Sequence, residues 1–461
     1  MLRMVGTPLI VLAIVLILAA GADGQNVPLE ERILHPVGPP TRPILLKPSI
    51  SKEAIGGFPA LPIVSWITFA SFMGRVEEAN LSLAAQRYNV PIAQAQLRAA
   101  SVFPDPTIQG GYDGDASGSG QVTTYSVSVA EEFLLGGKIR YRKDAARAAL
   151  LASSATLSDY LRNLREQAAE AFIDGLTDAL KLQRKEASLE RAHQLVALNV
   201  ERLRKGEASE DSLLRARIVE LEDHSNLADS ESDLYQSLGE LALFMGVSDR
   251  GGLIAPKGDL EGVAETFSLA QLVERAVTSR SDVVAAEYTL QSARAGYQLA
   301  KAARIPDVTI TGAYSHLTRV ANPIDPSPAW ESAGVSFSLP ITISALNGGA
   351  VQAAYYQELQ AEKNLRAAKL QAESDVRKAY QHYVLAVEEV QLFASEMLND
   401  SDRIYKSRLF KLEKGQVTLL EVLDAHQALD QLYMDYYNSL SGRAKALVEL
   451  EQAAGIWDID F

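Results

Sequence analysis

Apolar and polar residues alternate with a period of two in four short runs of the chain. Serine, threonine or glutamine stands between most of the apolar positions, which are Ile108, Gly110 and Tyr112; Tyr125, Val127 and Val129; Val308, Ile310 and Tyr314; and Val335, Phe337, Leu339 and Ile341. Alternation with β-branched and aromatic residues is typical of strands. The pattern therefore predicts strands at about 107–113, 122–133, 307–315 and 330–342.

Four much longer stretches are rich in Ala, Leu, Glu, Gln, Arg and Lys and almost free of proline. This composition is typical of long helices. The predicted helices are 139–203, 207–246, 348–412 and 417–456, and the first would be about 95 Å long at 1.5 Å per residue. Gly206 and Gly415 interrupt them, each after a lysine, as helix C-termini prefer. Short breaks between long helices indicate antiparallel hairpins.

A further helix is predicted before each pair of strands, at 75–102 and at 268–304. A Pro-Asp step follows each of them, at Pro104 and Pro306. The residue before a proline avoids the helical region, so each helix should end there.

The same order of elements occurs twice, and the sequence repeats with it. Residues 99–112 match 301–314, with an offset of 202 from Pro104/Pro306 to Tyr112/Tyr314. Later, 204–207 matches 413–416, and 241–246 matches 450–455, both at an offset of 209. We therefore divide the chain into repeat 1 (67–246), a linker with four glycines (247–267) and repeat 2 (268–461).

The N-terminal residues indicate export. Arg3 precedes an apolar run from Pro8 to Ala20, and Ala20-Gly21-Ala22 is a small-residue cleavage site. We predict a signal peptide at 1–22; the alternative is a retained anchor, although the run is short for a spanning helix. Eight of the eighteen prolines lie between Pro28 and Pro62, so 23–66 is predicted to be extended and irregular, and its role stays open.

Composition excludes several classes of function. The chain has no cysteine, which excludes disulfides and thiolate metal sites, and its net charge of −14 argues against nucleic acid. No catalytic or cofactor motif is found, so we expect neither an enzyme nor a cofactor. The histidines are scattered, with no i, i+4 pair and no adjacent carboxylate in a ligand spacing: His35, His193, His224, His316, His382 and His426. We expect them on the surface or between helices, and we predict no metal site.

The strands and helices suggest what the chain can build. Four strands cannot close a barrel, and a free sheet edge is not tolerated in lipid, so a membrane barrel would need several chains. One apolar face and one Ser/Thr/Gln face suit such a barrel; the alternative is a small soluble sheet whose apolar face packs on helices. Alanine and leucine spread around the helices suit a cylinder of helices, each between two others; the alternative is an ordinary coiled-coil rod.

Four motifs, in this order in the chain, resemble the TolC-like outer-membrane efflux protein family. They are the strand-to-helix re-entry 134–140, with Gly-Gly-Lys as in its heavy-metal-efflux branch; the repeat opening at 268–276 and 280–283; the helix-to-strand entry 303–308; and the hairpin tip 414–425. The resemblance covers both repeats.

The resemblance implies a mainly α fold with a small membrane β-barrel portion, built from a tandem-duplicated unit of helix, two strands and long antiparallel hairpin. It implies a homotrimer with a twelve-stranded barrel in outer-membrane lipid and a helical tube across the periplasm. A periplasmic adaptor would join the tube to an inner-membrane pump, and the duct would pass its substrate without chemistry. The substrate stays open. Alternatives are a periplasmic coiled-coil adaptor or scaffold, or a secreted enzyme, which no group of residues supports.

The resemblance also implies site residues at the hairpin tips. Glu421 and Asp424, one helical turn apart, would form rings of carboxylates that gate the pore; the alternative is an ordinary solvated helix face. The tips that would contact the adaptor are Lys205, Gly206 and Glu207, and Lys414, Gly415, Gln416 and Val417. Some family members carry a basic residue where this chain has Val417, and Ser212 stands where its acidic partner is expected. How the tip is held shut therefore stays open.

Overall fold

The computed structural model describes residues 63–114, 123–248, 252–262, 266–318, 328–340, 348–394 and 397–459. The predicted signal peptide at 1–22 and nearly all of the 23–66 segment lie outside these ranges. The described helices are α1 Phe69–Ala79, α2 Leu81–Arg87, α3 Asn89–Ala100, α4 Lys138–Arg204, α5 Glu210–Phe244, α6 Leu269–Ser279, α7 Ser281–Ala302, α8 Gly349–Ala394, α9 Met397–Glu413 and α10 Leu419–Ala454. The described strands are β1 Ile63–Thr68, β2 Thr107–Gly114, β3 Thr123–Phe133, β4 Leu253–Lys257, β5 Val308–Leu317 and β6 Trp330–Ser338.

Two antiparallel hairpins dominate the fold, and each arm of a hairpin begins and ends within three residues of its predicted bounds. Hairpin 1 consists of α4 and α5. In hairpin 2, α8 and α9 together form the first arm, and α10 forms the second. Helix α4 has 67 residues, about 100 Å at 1.5 Å per residue. Residues 395 and 396, between α8 and α9, lie outside the described ranges. No helix in the described residues is long and apolar enough to cross a membrane.

The helix that precedes each strand pair is not continuous, so the predictions of single helices at 75–102 and 268–304 were wrong. The chain breaks at Asn80 and at Arg280, both in extended backbone conformation. Asn80 Nδ2 donates to the carbonyl of Phe244 (3.1 Å), at the end of hairpin 1. Arg280 Nη1 donates to the carbonyl of Ala453 (3.4 Å), at the end of hairpin 2. Each break therefore places a polar side chain on the free carbonyls of a helix C-terminus.

The predicted strands form one four-stranded antiparallel sheet in the order β2-β3-β5-β6. Strands β3 and β5 join the two repeats, with Val127 opposite Tyr314 and Ala130 opposite Thr311. Among the described residues, β2 and β6 are the edges, each paired on one side only.

A second, parallel pair of strands was missed by the sequence analysis. Strand β1, from the segment predicted to be irregular, pairs with β4 from the linker. The two strands are short and almost 190 residues apart, and period-two alternation gives little signal over five residues. This pair ties the start of repeat 1 to the connection between the repeats.

The core lies along the helices in three clusters of buried side chains. In the largest, Phe69 and Phe72 of α1 contact Phe172 of α4, with ring centroids 5.3 and 5.4 Å apart. A second cluster packs α6 and α7 against α8 and α10. The third lies towards the tips, where Leu195 and Leu429 join the two hairpins. The long helices are thus held by packing between the repeats as well as within each.

Candidate gate, hairpin tips and a buried histidine cluster

Both hairpin tips are built by the same backbone turn. Gly206 and Gly415 adopt left-handed φ values of 76° and 67°. The N–H of Glu207 donates to the carbonyl of Arg202 (2.8 Å), and that of Gln416 to Lys411 (2.9 Å), which closes a Schellman motif at each helix end. A β-carbon at either glycine would meet no atom within 4 Å, so the conformation, and not crowding, requires glycine.

The tips present polar side chains outward and one apolar side chain inward. The predicted tip residues Lys205, Gly206, Glu207, Lys414, Gly415 and Gln416 are exposed. Val417 instead packs against the hydrophobic cluster nearest the tips. The apolar residue at position 417 therefore serves the core of the hairpin end.

Glu421, one of the two predicted gate residues, caps the N-terminus of α10. Its Oε1 accepts from the N–H and the hydroxyl of Thr418, both at 3.1 Å, and Thr418 Oγ1 in turn accepts from the N–H of Glu421. This is a capping box. The hydrogen bond from the Thr418 backbone lowers the pKa of Glu421 below its usual value, so the carboxylate is ionised at neutral pH.

A basic residue does stand beside Glu421, but it comes from α9. Arg408 Nη1 donates to the Glu421 carbonyl (3.0 Å) and lies 4.0 Å from its Oε2. Asp424, the second predicted gate residue, is exposed on the same helix. Ser212 bonds Ser209 at 2.9 Å, and Arg215 pairs with Asp211 on its own helix.

The Gly-Gly-Lys motif joins the sheet to the helices. Lys138, at the start of α4, donates from Nζ to the carbonyl of Ile305 (2.6 Å) and to Asp307 Oδ2 (2.7 Å). Asp307 Oδ1 accepts from the N–H of Leu135 (2.8 Å). Gly136 has a φ of 70°, which favours glycine, and a β-carbon there would lie 2.7 Å from Ile305 Cδ1, which would have to move. Re-entry into hairpin 1 is therefore fixed to the entry into β5.

The four-stranded sheet has one apolar and one polar face, and the apolar face is exposed. By register, Tyr112, Tyr125, Val127, Val335 and Phe337 share a face. Tyr112, Val335 and Phe337 are 71, 76 and 82% exposed. The alternative of a soluble sheet required this face to pack on helices of the same chain, and no helix among the described residues covers Tyr112, Val335 or Phe337.

A buried polar cluster between the hairpins was missed by the sequence analysis. It consists of Ser188 on α4, Asp223 on α5, and His426 and Asp430 on α10, all less than 9% exposed; we name it the buried histidine cluster. The statement that no carboxylate stands at ligand spacing from a histidine was wrong, because Asp430 follows His426 by one helical turn. The i, i+4 spacing of His426 and Asp430 could have indicated the cluster from the sequence. Asp223 could not have been assigned to it, because it lies 203 residues before His426.

Comparison with curated proteins finds relatives named for metal resistance and for cation efflux. The chain is 20% identical over 389 residues to the cobalt-zinc-cadmium resistance protein CzcC of Cupriavidus metallidurans, covering 84% of this chain and 90% of the relative. It is 26% identical over 376 residues to the cation efflux system protein CusC of Escherichia coli K12, covering 76% of this chain and 78% of the relative.

Solved structures share the fold. A CusC crystal structure matches with a TM-score of 0.70 at 19% identity, covering 87% of this chain and 99% of that chain. The outer membrane protein VceC of Vibrio cholerae matches with a TM-score of 0.67 at 17% identity, covering 83% and 95%. The mainly helical fold with few strands predicted from the sequence is confirmed.

The duplicated unit is also the unit of a known family. The model for outer membrane efflux proteins matches residues 73–247 and 272–456, one match in each repeat. Members of this family form trimeric channels that work with periplasmic adaptors and inner-membrane pumps. They are ducts, which supports the expectation that the chain is not an enzyme and leaves the adaptor alternative without support. The chain therefore belongs to the outer membrane efflux protein family and is an outer-membrane exit duct of a tripartite efflux system, with its helical tube in the periplasm.

Proposed function

We propose that three copies of this chain close the duct and that it exports metal cations. The observation that supports the trimer is the sheet, whose strands β2 and β6 each pair on one side only among the described residues. Three sheets of four strands would give twelve, an even number within the range of outer-membrane barrels. Pairing β6 of one copy with β2 of the next would remove every edge, as lipid requires.

Membrane fractionation tests this assembly. The protein should be found in the outer membrane and should migrate as a trimer on a gel when unheated and as a single chain after heating. A protein found only in the soluble periplasm, or one that migrates as a single chain without heating, would contradict the proposal.

We assign the gate to Glu421 and Asp424. In a trimer each residue would contribute three carboxylates, and crowded carboxylates at a narrow wet pore attract cations. The capping box supports this assignment for Glu421, because it holds an ionised carboxylate in a fixed orientation at the helix start. Asp424 supplies a second, exposed carboxylate three residues further along α10.

Single-channel recording tests the gate. The double variant Glu421→Gln, Asp424→Asn should weaken the block of current by divalent and trivalent cations. Glutamine is accepted in a capping box, so the helix start should stay intact. Glu388→Gln, Glu389→Gln removes two exposed carboxylates of α8 as a matched control. Unchanged block in the first variant, or equal loss in both, would reject the assignment.

The hairpin tips are proposed as the adaptor contact. Both tips expose a Lys-Gly pair on the same left-handed turn, so the adaptor would meet two similar surfaces per chain. Replacing Lys205 and Lys414 by glutamate should reduce co-purification with the adaptor while the trimer stays intact. Equal recovery of the adaptor would contradict this contact.

Metal cations are proposed as the cargo. Support comes from the curated relatives, which are named for cobalt-zinc-cadmium resistance and for cation efflux, and from the Gly-Gly-Lys motif. A deletion strain should become sensitive to transition metals, and the intact gene should restore resistance. Sensitivity to organic drugs without any change towards metals would reject this cargo.

A further inference from the structure

Four polar atoms converge in the buried histidine cluster from three helices. His426 Nε2 lies 2.8 Å from Asp223 Oδ2 and 3.9 Å from Asp430 Oδ2. Ser188 Oγ lies 3.2 Å from both His426 Nε2 and Asp223 Oδ2, and it also bonds Asp430 Oδ2. His426 is 1% exposed and Ser188 is fully buried. The two carboxylate oxygens lie within 4.8 Å of each other.

These four atoms have more lone pairs than protons to share. The serine hydroxyl and the imidazole Nε2 offer at most one proton each, and the ionised carboxylates offer none. If Nε2–H donates to Asp223 and the serine hydroxyl donates to Asp430, no proton is left to lie between Ser188 Oγ and Asp223 Oδ2. Two buried oxygen atoms that face each other without a proton repel, and a cation between them would remove this cost.

The other ring nitrogen of His426 does not fix the protonation of the ring. Nδ1 is buried and has no hydrogen-bond partner among the described residues. The tautomer of a histidine is set by the bond its second nitrogen makes. With no such bond on Nδ1, the contact of Nε2–H with Asp223 sets the tautomer when no ion is bound. A cation would displace that proton, and the neutral ring would then carry its proton on Nδ1 and direct the Nε2 lone pair to the ion.

We propose that the buried histidine cluster binds a transition-metal dication of the Zn²⁺ or Co²⁺ type, with Ser188 Oγ, Asp223 Oδ2, His426 Nε2 and Asp430 Oδ2 as its ligands. Four ligand atoms at about 2.0–2.2 Å from a tetrahedral ion are about 3.3–3.6 Å apart. Among the six separations of these atoms, those of 2.8, 3.2 and 3.2 Å are shorter than that value and the His426–Asp430 separation of 3.9 Å is longer. Ser188 also contacts Asp430 directly, so the side chains would have to move apart to admit an ion.

Two arginines orient the ligand Asp430 from behind. Arg184 and Arg191 both donate to Asp430 Oδ1 at 2.7 Å, which leaves Oδ2 to face the histidine. Outer partners of this kind hold ligands in place. The guanidinium charges also offset the two carboxylates, so the site should release its ion more readily than a site of acids alone. The imidazole ligand favours Zn²⁺ and Co²⁺ over Mg²⁺ and Ca²⁺.

A bound ion would link the two hairpins at one point. Ser188 and Asp223 belong to hairpin 1, and His426 and Asp430 to hairpin 2. The ion would therefore couple metal availability to the packing of the helices that lead to both tips. This site is separate from the cargo proposed above, because its ligands are buried within one chain and its occupancy does not depend on what the duct passes.

Titration of the purified, metal-stripped trimer with Co²⁺ alone tests the site. We expect one ion per chain, with the visible absorption bands of tetrahedral Co²⁺, displacement by Zn²⁺ and a higher unfolding temperature with Zn²⁺. His426→Gln and Asp223→Asn should both lose the bands and the thermal shift. His382→Gln is the matched control, since His382 also bonds a carboxylate (Glu449, 2.7 Å) but is 58% exposed.

Two results would overturn the proposal. One is the absence of Co²⁺ bands in the unaltered protein. The other is retention of the bands in both cluster variants, or their loss in His382→Gln. If His426→Gln fails to assemble, Asp223→Asn and Ser188→Ala decide the matter, since both are smaller changes. A metal-sensitive deletion strain would say nothing about this site, so the cargo and the site fail independently.

Discussion

The two repeats predict the register of the seam between copies of the chain. Thr107 pairs with Ala130, and one repeat later Thr309 pairs with Ser338. Strands β2 and β5 are therefore related by 202 residues, and β3 and β6 by 208. Within the chain, Ala130 of β3 lies opposite Thr311 of β5. Adding 208 to the position of Ala130 gives Ser338, and subtracting 202 from the position of Thr311 gives Gln109. The internal symmetry therefore places Ser338 of one copy opposite Gln109 of the next.

Cysteines at Gln109 and Ser338 should therefore join neighbouring copies. Directly opposed residues of antiparallel strands have α-carbons about 4.5–5.5 Å apart, within the range of about 4.4–6.8 Å that a disulfide spans. The chain has no cysteine of its own, so no other disulfide can form. Under mild oxidation, the double variant should give a ladder on a denaturing gel that ends at three chains.

A control pair fixes the register. Ser332 lies on the same face of β6 but six residues away from Ser338, which is about 20 Å along a strand. Gln109→Cys with Ser332→Cys should therefore give no cross-linked trimer. If this pair links as efficiently as the first, or if the first pair gives dimers only, the seam does not follow the internal symmetry.

Three further changes test the packing and the electrostatics. Phe172→Ala should lower the free energy of unfolding by about 3–5 kcal/mol in denaturant titrations, because the ring is fully buried. Arg280→Met should cost about 3 kcal/mol, the lower end for a broken buried pair, since Asp282 and Asp375 are about a third exposed. Burial and, to a smaller extent, repulsion from the carboxylate of Glu170 raise the pKa of Glu166 from 4.5 to about 7. The folded state therefore binds this proton more tightly, and stability should fall as pH rises from about 4.5 to 7; Glu166→Gln should flatten that slope in thermal unfolding.

The sequence predicted the elements that carry a strong periodic signal. The four sheet strands begin and end close to their predicted bounds because alternation over eight to eleven residues is hard to mistake. The tip glycines were found because a left-handed helix end strongly favours that residue. The sequence match between the two repeats also predicted that both contain the same elements in the same order.

Contacts between distant elements gave no such signal. The helix break at Asn80 depends on a hydrogen bond to the carbonyl of Phe244. The sequence on both sides of Asn80 has a helical pattern, so the break could not be seen in the sequence. The parallel pair β1 and β4 joins two segments that looked irregular on their own. The role of Glu421 in the capping box could have been found, because Thr418 precedes it by three residues. Its neighbour Arg408 could not, because it comes from another helix.

The two repeats share the same backbone break before their hairpins, but the side chains that bond the helix end at this break differ. Asn80 and Arg280 lie 200 residues apart, and each bonds the carbonyl at the end of its own hairpin, at Phe244 and Ala453, with a different functional group. The position of the bond is therefore the inherited feature, since either an amide or a guanidinium satisfies the carbonyl.

The same divergence separates the contact within a chain from the seam between chains. Gly137 and Gly348 both have positive φ, and each accepts the first hydrogen bond of the helix that follows, from the N–H of Tyr141 and of Gln352. Lys138 therefore corresponds to Gly349, and Asp307 corresponds to Asp105. Within the chain, Lys138 holds Asp307 at 2.7 Å and fixes hairpin 1 to β5. At a seam with the same symmetry, Gly349 would stand near Asp105 and has no charged side chain to pair with it. The two kinds of junction in a closed trimer would then differ in strength, and the seam between copies would be the one free to move.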